Sequence, residues 1–169
     1  MPEIRIITSI NGIPAQQWNS LQLENNPFID YAFLSALENN DCLEKWGWQS
    51  RFVCLYEKES LLAAVPMYLK DNSYGEFVFD SAWADAYSRH GLHYYPKLVV
   101  AVPFTPAPGP RLLLHKDNTN SALRSELIHA TLDYARSINV SSLHYLFTPE
   151  TETNDLEKLG LLRRTGCQF

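Results

Sequence analysis

The stretch Arg51–Lys70 reads RFVCLYEKESLLAAVPMYLK and decides the fold class. Residues 51–57 alternate and are rich in Phe, Val, Leu and Tyr, and residues 61–70 are almost continuously apolar. The polar link Lys58-Glu59-Ser60 is short, so the two runs predict an antiparallel β-hairpin. Pro66 interrupts the second run and predicts a bulge or a sheet edge, because proline has no N–H for the ladder.

Upstream of the hairpin, the pattern predicts one strand and two helices. Residues 4–7 (IRII) form a short predicted strand. Pro14 suits the first turn of a helix that runs to residue 21, because its missing N–H costs nothing there. Asp30 is a suitable N-cap for a second helix, which closes at the Asn39-Asn40 pair.

The segment after the hairpin, residues 72–110, is the irregular part of the chain. The pattern predicts a short strand at 77–79, a helix that is capped by Asp80 or Ser81 and stopped by Gly91, a strand at 97–104, a proline-rich loop (PAPGP) at 106–110, and a strand that resumes at 111–114.

The remaining residues alternate helix and strand. The pattern predicts a long helix capped by Thr119 or Asn120, a strand at 142–147, a helix from Thr148-Pro149 to Gly160, and a further strand from Leu161 to Phe169. The whole order is that of an α/β (α+β) domain with a mixed central sheet flanked by helices. It differs from the regular alternation of a doubly wound nucleotide-binding sheet.

Bulk composition excludes several classes of partner. The chain has 169 residues, the length of one domain, and a net charge of −5. That charge disfavours broad binding to nucleic acid or to an anionic membrane, so we expect no DNA partner. The apolar runs are far shorter than the roughly 20 residues that a membrane helix needs, so we expect no membrane insertion.

Cysteine usage indicates a reducing compartment. Cys42, Cys54 and Cys167 form neither a CxxC motif nor a zinc-ligand spacing, and the histidines also lack metal-ligand spacing, so no metal site is expected. The opening residues MPEIR lead into a short strand and not into an apolar signal segment. We therefore expect a cytoplasmic protein with free thiols.

A long central motif, Ser73–Tyr87, reads SYGEFVFDSAWADAY. It is accompanied by further short motifs at 68–70, 89–92, 94–98, 101–106 and 109–113, by Pro27-Phe28, Phe33-Leu34, Leu37-Glu38 and Trp46-Gly47-Trp48, and by the terminal Arg164–Phe169. Together they resemble a family of bacterial proteins that are described as predicted N-acyltransferases or peptidoglycan biosynthesis/recognition proteins. The resemblance covers nearly the whole chain.

This resemblance implies a fold and an architecture. Members look like relatives of the Fem-type aminoacyltransferases, which carry two halves of the GNAT (acyl-N-acyltransferase) fold, and the predicted element order is that of a GNAT domain. We expect residues 1–169 to be one GNAT-like domain and the N-terminal half of a longer protein, with the C-terminal half as its partner. An apolar surface left exposed without that half would also favour a homodimer.

One departure from the GNAT pattern concerns the acyl donor. GNAT enzymes that use acetyl-CoA have a Gln/Arg-x-x-Gly-x-Gly/Ala loop before the long helix, where backbone N–H groups bind the pyrophosphate. The matching junction, 115–121, reads HKDNTNS, has no glycine, and carries Asp117, which would repel a diphosphate. We therefore expect no tightly bound cofactor. The resemblance implies acyl-CoA or aminoacyl-tRNA as the donor of the full-length protein.

The predicted helix after Asp80 carries candidate catalytic residues. Asp80 is either the N-cap or a base that takes the proton of an acceptor amine. Trp83, Tyr87 and His90 share one helical face, which indicates either a pocket wall with His90 as general base or a packed aromatic stripe.

Further candidates for acceptor binding lie within and after this helix. Asp85 and Arg89 form either a charged pair that grips an amine or a carboxylate, or a surface ion pair. Tyr94, Tyr95 and Lys97 are candidates for binding a sugar or peptide acceptor. Neighbouring residues of a strand face opposite sides, so we expect only one of the two tyrosines to face a given cleft.

The proline cluster from Pro103 to Pro110 predicts either a rigid rim beside a cleft or a stiff loop.

Two hypotheses for function follow from the resemblance and from these candidates. In the first, the chain is the N-terminal GNAT-like half of an N-acyltransferase that moves an acyl or aminoacyl group to an amine acceptor. In the second, it is a non-catalytic, degenerate GNAT domain that binds acceptor or partner and supports a catalytic second half. The missing glycine loop favours the second role for these residues.

Overall fold

A computed structural model describes residues 2–118, 120 and 122–166. Within these ranges the strands are β1 (Glu3–Ile7), β2 (Trp48–Ser50), β3 (Phe52–Glu57), β4 (Ser60–Val65), β5 (Met67–Lys70), β6 (Lys97–Val100), β7 (Leu113–Leu114) and β8 (Leu143–Tyr145). The α-helices are α1 (Ala15–Asn19), α2 (Tyr31–Asn39), α3 (Ser81–Arg89), α4 (Ala122–Ser137) and α5 (Glu150–Lys158). No described helix is long and apolar enough to span a bilayer.

The predicted hairpin is confirmed, and it joins two sheets. Its first arm divides into β2 and β3 at Arg51, and its second arm divides into β4 and β5 at Pro66. One sheet has the order β1-β3-β4-β7, and the other has the order β2-β5-β6-β8. Pro66 cannot donate to a ladder, so regular pairing stops there. The Arg51 N–H donates to the carbonyl of Met67 at 2.7 Å across the break.

Strand pairing is antiparallel except at one place. β6 and β8 run parallel, with Leu98 opposite Leu143 and Val100 opposite Tyr145. A parallel pair needs a crossover connection, and α4 lies on the chain between the two strands. The mixed sheet with flanking helices confirms the predicted fold class.

Two apolar clusters fill the two faces of the sheets. Along β3, Phe52 and Cys54 belong to the cluster that contains residues of α1 and α2, whereas Val53 and Leu55 belong to the cluster that contains residues of α4. All four side chains are fully buried. Alternate residues of a strand face opposite sides, so β3 must be apolar on both, and this explains its continuous apolar run.

Polar side chains fix the helix starts where the sequence predicted them. Asp30 Oδ1 accepts the N–H of Ala32 at 2.8 Å and caps α2. Asn120 Oδ1 accepts the N–H of Ala122 at 3.0 Å at the start of α4. Thr119, the other cap predicted for this helix, lies outside the described residues.

Several predicted strands are shorter than expected or not formed. The strand predicted at 97–104 ends at Val100, and the one predicted at 111–114 is reduced to two residues, because the chain between them leaves the sheet as a loop. Residues 77–79 form no strand, and Phe77 has a left-handed φ of +58°. Residues 161–166 form no strand either, and the end of that prediction, 167–169, lies outside the described residues.

Candidate functional site

Residues 71–96, between β5 and β6, are fixed to the sheet by a buried charge. Lys97 begins β6 and is fully buried. Its Nζ donates to Glu76 at 2.8 Å, to Ser73 Oγ at 2.9 Å, and to Asp80. An isolated ammonium would not be tolerated in this position, so the two carboxylates are what permit its burial. We call Ser73, Glu76, Asp80, Tyr94 and Lys97 the Lys97 cluster.

Two tyrosines surround this ammonium. Tyr94 Oη donates to Asp80 at 2.8 Å, and Tyr95 Oη lies 2.8 Å from Ser73 Oγ. Lys97 Nζ lies 5.3 Å and 5.7 Å from the two ring centroids. The expectation that only one tyrosine faces a given cleft is therefore wrong. The two residues lie outside any strand, so the alternation of sides does not apply.

The two carboxylates of the Lys97 cluster differ in their pKa. Burial raises the pKa of Glu76, and its Oε1 is buried without a hydrogen-bond partner among the described residues. Burial also acts to raise the pKa of Asp80, but hydrogen bonds from Lys97, Ser73 and Tyr94 outweigh it and lower that pKa. Asp80 therefore carries the negative charge opposite Lys97, and Glu76 takes up a proton more readily.

His144 on β8 borders the Lys97 cluster and did not stand out in the sequence. Its Nε2 lies 2.8 Å from Ser142 Oγ and 3.4 Å from Tyr94 Oη. Burial and the nearby charge of Lys97 lower the pKa of His144 to about 4, so the ring is neutral at neutral pH. A register that pairs His144 with Val99 places it here, and that register depends on a parallel pairing that single-sequence patterns do not reveal.

Helix α3 exposes three of the residues that were predicted as a site. Asp85, Arg89 and His90 are all exposed to solvent. The surface ion pair expected of Asp85 and Arg89 does not form, since no salt bridge joins them in the described chain. Their side chains therefore do not reach the Lys97 cluster, and their catalytic and binding roles stay predictions.

Of the predicted aromatic stripe, only Tyr87 packs against the Lys97 cluster. Its ring lies edge-on to Tyr94, with the centroids 5.2 Å apart. Trp83 is half exposed and carries the Arg164 guanidinium over its ring at 4.8 Å. Asp80 precedes α3, but its side chain makes no capping hydrogen bond, because the carboxylate is turned to Lys97.

Two adjoining depressions lie at the loop after α1, and the smaller one also borders the proline-rich loop. The larger has a volume of ≈ 670 Å³ and is lined by residues from 19 to 30. The smaller has ≈ 220 Å³ and is lined by Glu24, Asn26, Phe28 and residues 107–110. Since Glu24 and Asn26 line both, we call the two together the acidic groove. The larger volume falls in the range of roughly 300–1,000 Å³ that is typical of small-ligand sites.

The lining of the acidic groove is polar and negatively charged. Glu24 and Asp30 are its charged residues, and no lysine, arginine or histidine lines it within the described chain. The Glu24 carboxylate is exposed and makes no hydrogen bond to described residues. Negative side chains that line a depression attract cations, so the groove suits an ammonium group.

The first wall of the acidic groove is pinned to the core. Trp18 Nε1 donates to the carbonyl of Ile29 at 2.8 Å, and Gln22 N–H donates to the carbonyl of Leu114 at 2.7 Å. Between these anchors Glu24 has a left-handed φ of +52°. Such a conformation is unfavourable for a side-chain-bearing residue and persists only where the surroundings impose it.

The second wall is held by Arg111, which is fully buried. Its guanidinium donates to the carbonyls of Ala107 at 2.9 Å and of Gly109, Pro110 and Leu146 at 3.1 Å. Burial lowers the pKa of Arg111 to about 10, which leaves it charged at neutral pH. Within the predicted proline cluster, residues 107–110 therefore form a held rim beside the smaller depression, which favours the first of the two alternatives.

Glu152, in the first turn of α5, lies beside Arg111 and orders the chain after the rim. Its carboxylate accepts the N–H groups of Arg111 at 2.9 Å and of Leu112 at 3.2 Å. Burial raises the pKa of Glu152. Neither Arg111 nor Glu152 stood out in the sequence, although an arginine directly after a proline-rich run is a usable signal, because such a run has free carbonyls and few N–H groups.

The junction before α4 uses its own N–H groups. The N–H groups of Asp117 and Asn118 donate to Nδ1 (3.3 Å) and to the carbonyl (2.8 Å) of His115. Asn120 N–H donates to Asn118 Oδ1 at 2.9 Å, and Asn120 Oδ1 accepts the N–H that starts α4. The backbone N–H groups of 115, 116 and 123 also donate within the chain, whereas residues 119 and 121 lie outside the described part.

Comparison with known proteins supports the resemblance seen in the sequence. A family model described as FemAB-like, peptidoglycan biosynthesis/recognition, matches residues 9–169. No curated protein matches the sequence significantly. The family model spans almost the whole chain and includes the motif at 73–87, so it confirms the family that this motif indicated.

Solved structures confirm the GNAT fold. The chain resembles a ribosomal-protein-alanine N-acetyltransferase from Brucella melitensis biovar Abortus 2308, with a TM-score of 0.60 and 13% identity over 100% of this chain and 98% of that one. It also resembles the aminoglycoside N-acetyltransferase AAC(6')-Iy in complex with CoA (TM-score 0.59, 12% identity, 100% and 93% covered). A third similar structure is an aminoglycoside 6'-N-acetyltransferase from Acinetobacter haemolyticus (TM-score 0.53, 10% identity, 99% and 95% covered). Family and fold together support acyl-group transfer as the general class of activity.

Removing the buried ammonium should destabilise the domain strongly. Lys97→Met leaves Asp80 and Glu76 buried without a counter-charge, so we expect the free energy of unfolding to fall by about 3–5 kcal/mol. The triple variant K97M/E76Q/D80N carries no charge in the cluster and should recover most of that loss. Urea unfolding of both, with the exposed Lys45→Met as control, measures this. A triple variant no more stable than K97M would show that charge compensation does not hold this segment.

His144 should make stability depend on pH. Its pKa is lowered from 6.5 to about 4, so the unfolded chain binds a proton that the folded chain does not. Stability therefore falls as the pH falls through this window, by about 2–3 kcal/mol from this group. His144→Gln should lose that part of the slope, and the exposed His129→Gln should keep it, in urea unfolding between about pH 7 and 4.5. Equal slopes in the two variants would contradict this account.

Proposed function

Because the chain belongs to the FemAB-like family of peptidoglycan biosynthesis/recognition proteins, we propose that it takes part in transferring an acyl or aminoacyl group to an amine acceptor. Its own contribution is the acceptor site, in the acidic groove. The observation that carries this proposal is the charge of the groove. Glu24 and Asp30 line it, and no positively charged side chain of the described residues does. Amines with a pKa near that of lysine are ammonium ions at neutral pH and suit such a lining.

The chemistry that follows needs little from the protein beyond placement. Once it has lost a proton, the amine nitrogen attacks the carbonyl carbon of a thioester or ester, a C–N bond forms, and the donor alcohol or thiol leaves with a proton. The groove's part is to bind and orient the amine, which lowers the entropic cost of reaction. The base remains a prediction among Asp80, Asp85 and His90, none of which lines the groove.

A second candidate function is non-catalytic. In that role the domain binds the acceptor and supports a second GNAT-like half, like the two-half Fem-type aminoacyltransferases that it resembles. The observation that favours this role is the junction before α4, where the described N–H groups are all used within the chain. The two candidates share the acidic groove and differ in whether residues of this chain touch the reacting carbonyl.

Titration with a small amine tests the acceptor site. We expect L-lysinamide to shift the backbone amide resonances of residues 22–30 and of Gly109 saturably in 15N-labelled chain, and its diacetylated form to leave them unchanged. Glu24→Gln should weaken this binding by about fivefold, because an exposed ion pair contributes at most about 1 kcal/mol. Glu44→Gln, which is exposed and outside the groove, is the matched control. Equal binding of the diacetylated amide would exclude charge recognition in the groove.

A further inference from the structure

The GNAT fold implies a CoA donor, and one solved relative of this fold is a complex with CoA. A helix N-terminus binds a diphosphate only through N–H groups that are free to point at it. In the junction before α4, the described N–H groups from 115 to 123 all donate to acceptors of the chain itself. Binding a diphosphate would first require breaking these bonds, and the negative charge of Asp117 would oppose its approach.

The side chains of Asn118 and Asn120 accept two of these N–H groups and so make them unavailable to a ligand. Each places its Oδ1 on an N–H two residues further along the chain, at 2.9 Å and 3.0 Å. Lys116 is the remaining group that could attract phosphate, but its side chain is exposed and offers a mobile charge without oriented donors.

A second place where backbone groups are already hydrogen-bonded lies beyond the ends of β6 and β8, where the two strands diverge. Ligands of α/β sheets bind beyond the carboxyl ends of parallel strands, where the strands diverge and leave backbone groups free. The parallel pairing ends with Leu146 N–H donating to Val100 at 2.9 Å. The next two carbonyls of that strand are already used: Arg111 Nε donates to Leu146 at 3.1 Å, and Gly109 N–H donates to Phe147 at 3.1 Å.

From these two sets of internal hydrogen bonds we infer that the described residues of this chain do not hold CoA at the N-terminus of α4. Asn118 and Asn120 use N–H groups before and at the start of α4, and Arg111 uses the Leu146 carbonyl beyond β8, so these groups are not free for a ligand. The acyl group must then arrive on a carrier that is anchored outside these residues. This inference does not depend on the acceptor site, because it concerns different atoms and a different ligand.

CoA itself is the probe that tests the inference. We expect 15N-labelled chain to show no saturable shift of the amides from 115 to 123, or of Leu146 and Phe147, up to about 5 mM CoA, which is above the usual 1 μM–1 mM range of enzyme substrates. The aminoglycoside N-acetyltransferase solved with CoA, titrated in the same buffer, is the positive control. Saturable shifts at these amides would overturn the inference.

The same samples then receive L-lysinamide. Its effect is measured at residues 22–30, so a failed acceptor site and an open donor site give different spectra. Asn118→Ala removes the side-chain oxygen that accepts the Asn120 N–H but keeps Asp117 and Arg111. This variant should also show no CoA shifts. A gain of saturable CoA binding in this variant would mean that the contact of Arg111 with the Leu146 carbonyl does not prevent CoA binding. It would overturn the part of the inference that concerns the ends of β6 and β8.

Discussion

The buried guanidinium of Arg111 is the interaction on which the proposed functional surface depends. Burying a cation is costly unless it is fully hydrogen-bonded, and here four carbonyls accept its N–H groups while Glu152 lies nearby. Three of those carbonyls belong to the proline-rich rim, and the fourth belongs to the strand edge after β8. One side chain therefore shapes the wall of the acidic groove and closes the gap between two parallel strands. A lysine could not replace it, because a single ammonium lacks the several N–H donors that a planar guanidinium directs at separate carbonyls.

Lys97 plays a similar structural part for the other irregular segment. Both cations are buried at or near the ends of strands, and each draws a long connection back onto the sheet: residues 71–96 for Lys97 and 107–110 for Arg111. Prolines, and residues in left-handed conformations such as Phe77, cannot extend a ladder, so these segments lack the backbone pairing that normally holds a chain in place. Charged side chains supply the hydrogen bonds instead.

Local patterns predicted the regular elements well, because they depend on neighbouring residues. The hairpin, the Asp30 cap and the helix that Gly91 follows are all formed. The strands predicted at 97–104 and 111–114 were too long, because the chain leaves the sheet after Val100 and returns at Leu113, and this loop is held by contacts distant in sequence such as Arg111 with Leu146.

The site was harder to predict for the same reason. Asp80, Tyr94, Tyr95 and Lys97 do come together, but His144 reaches them only through the parallel pairing of β6 with β8. The acidic groove joins residues near 24 to residues near 109, and no sequence spacing indicates that contact. Helical periodicity paired Asp85 with Arg89 and placed His90 on the face of Trp83 and Tyr87, but it could not show that Asp85, Arg89 and His90 are exposed to solvent.

The most direct test of the central claim is where a bound amine lies. Intermolecular nuclear Overhauser effects between the methylene protons of L-lysinamide and the aromatic rings of the chain would measure this. The acidic groove predicts contacts to Phe28, which lines it. Contacts to Tyr87 and Tyr95 instead would place the amine at the Lys97 cluster and contradict the account.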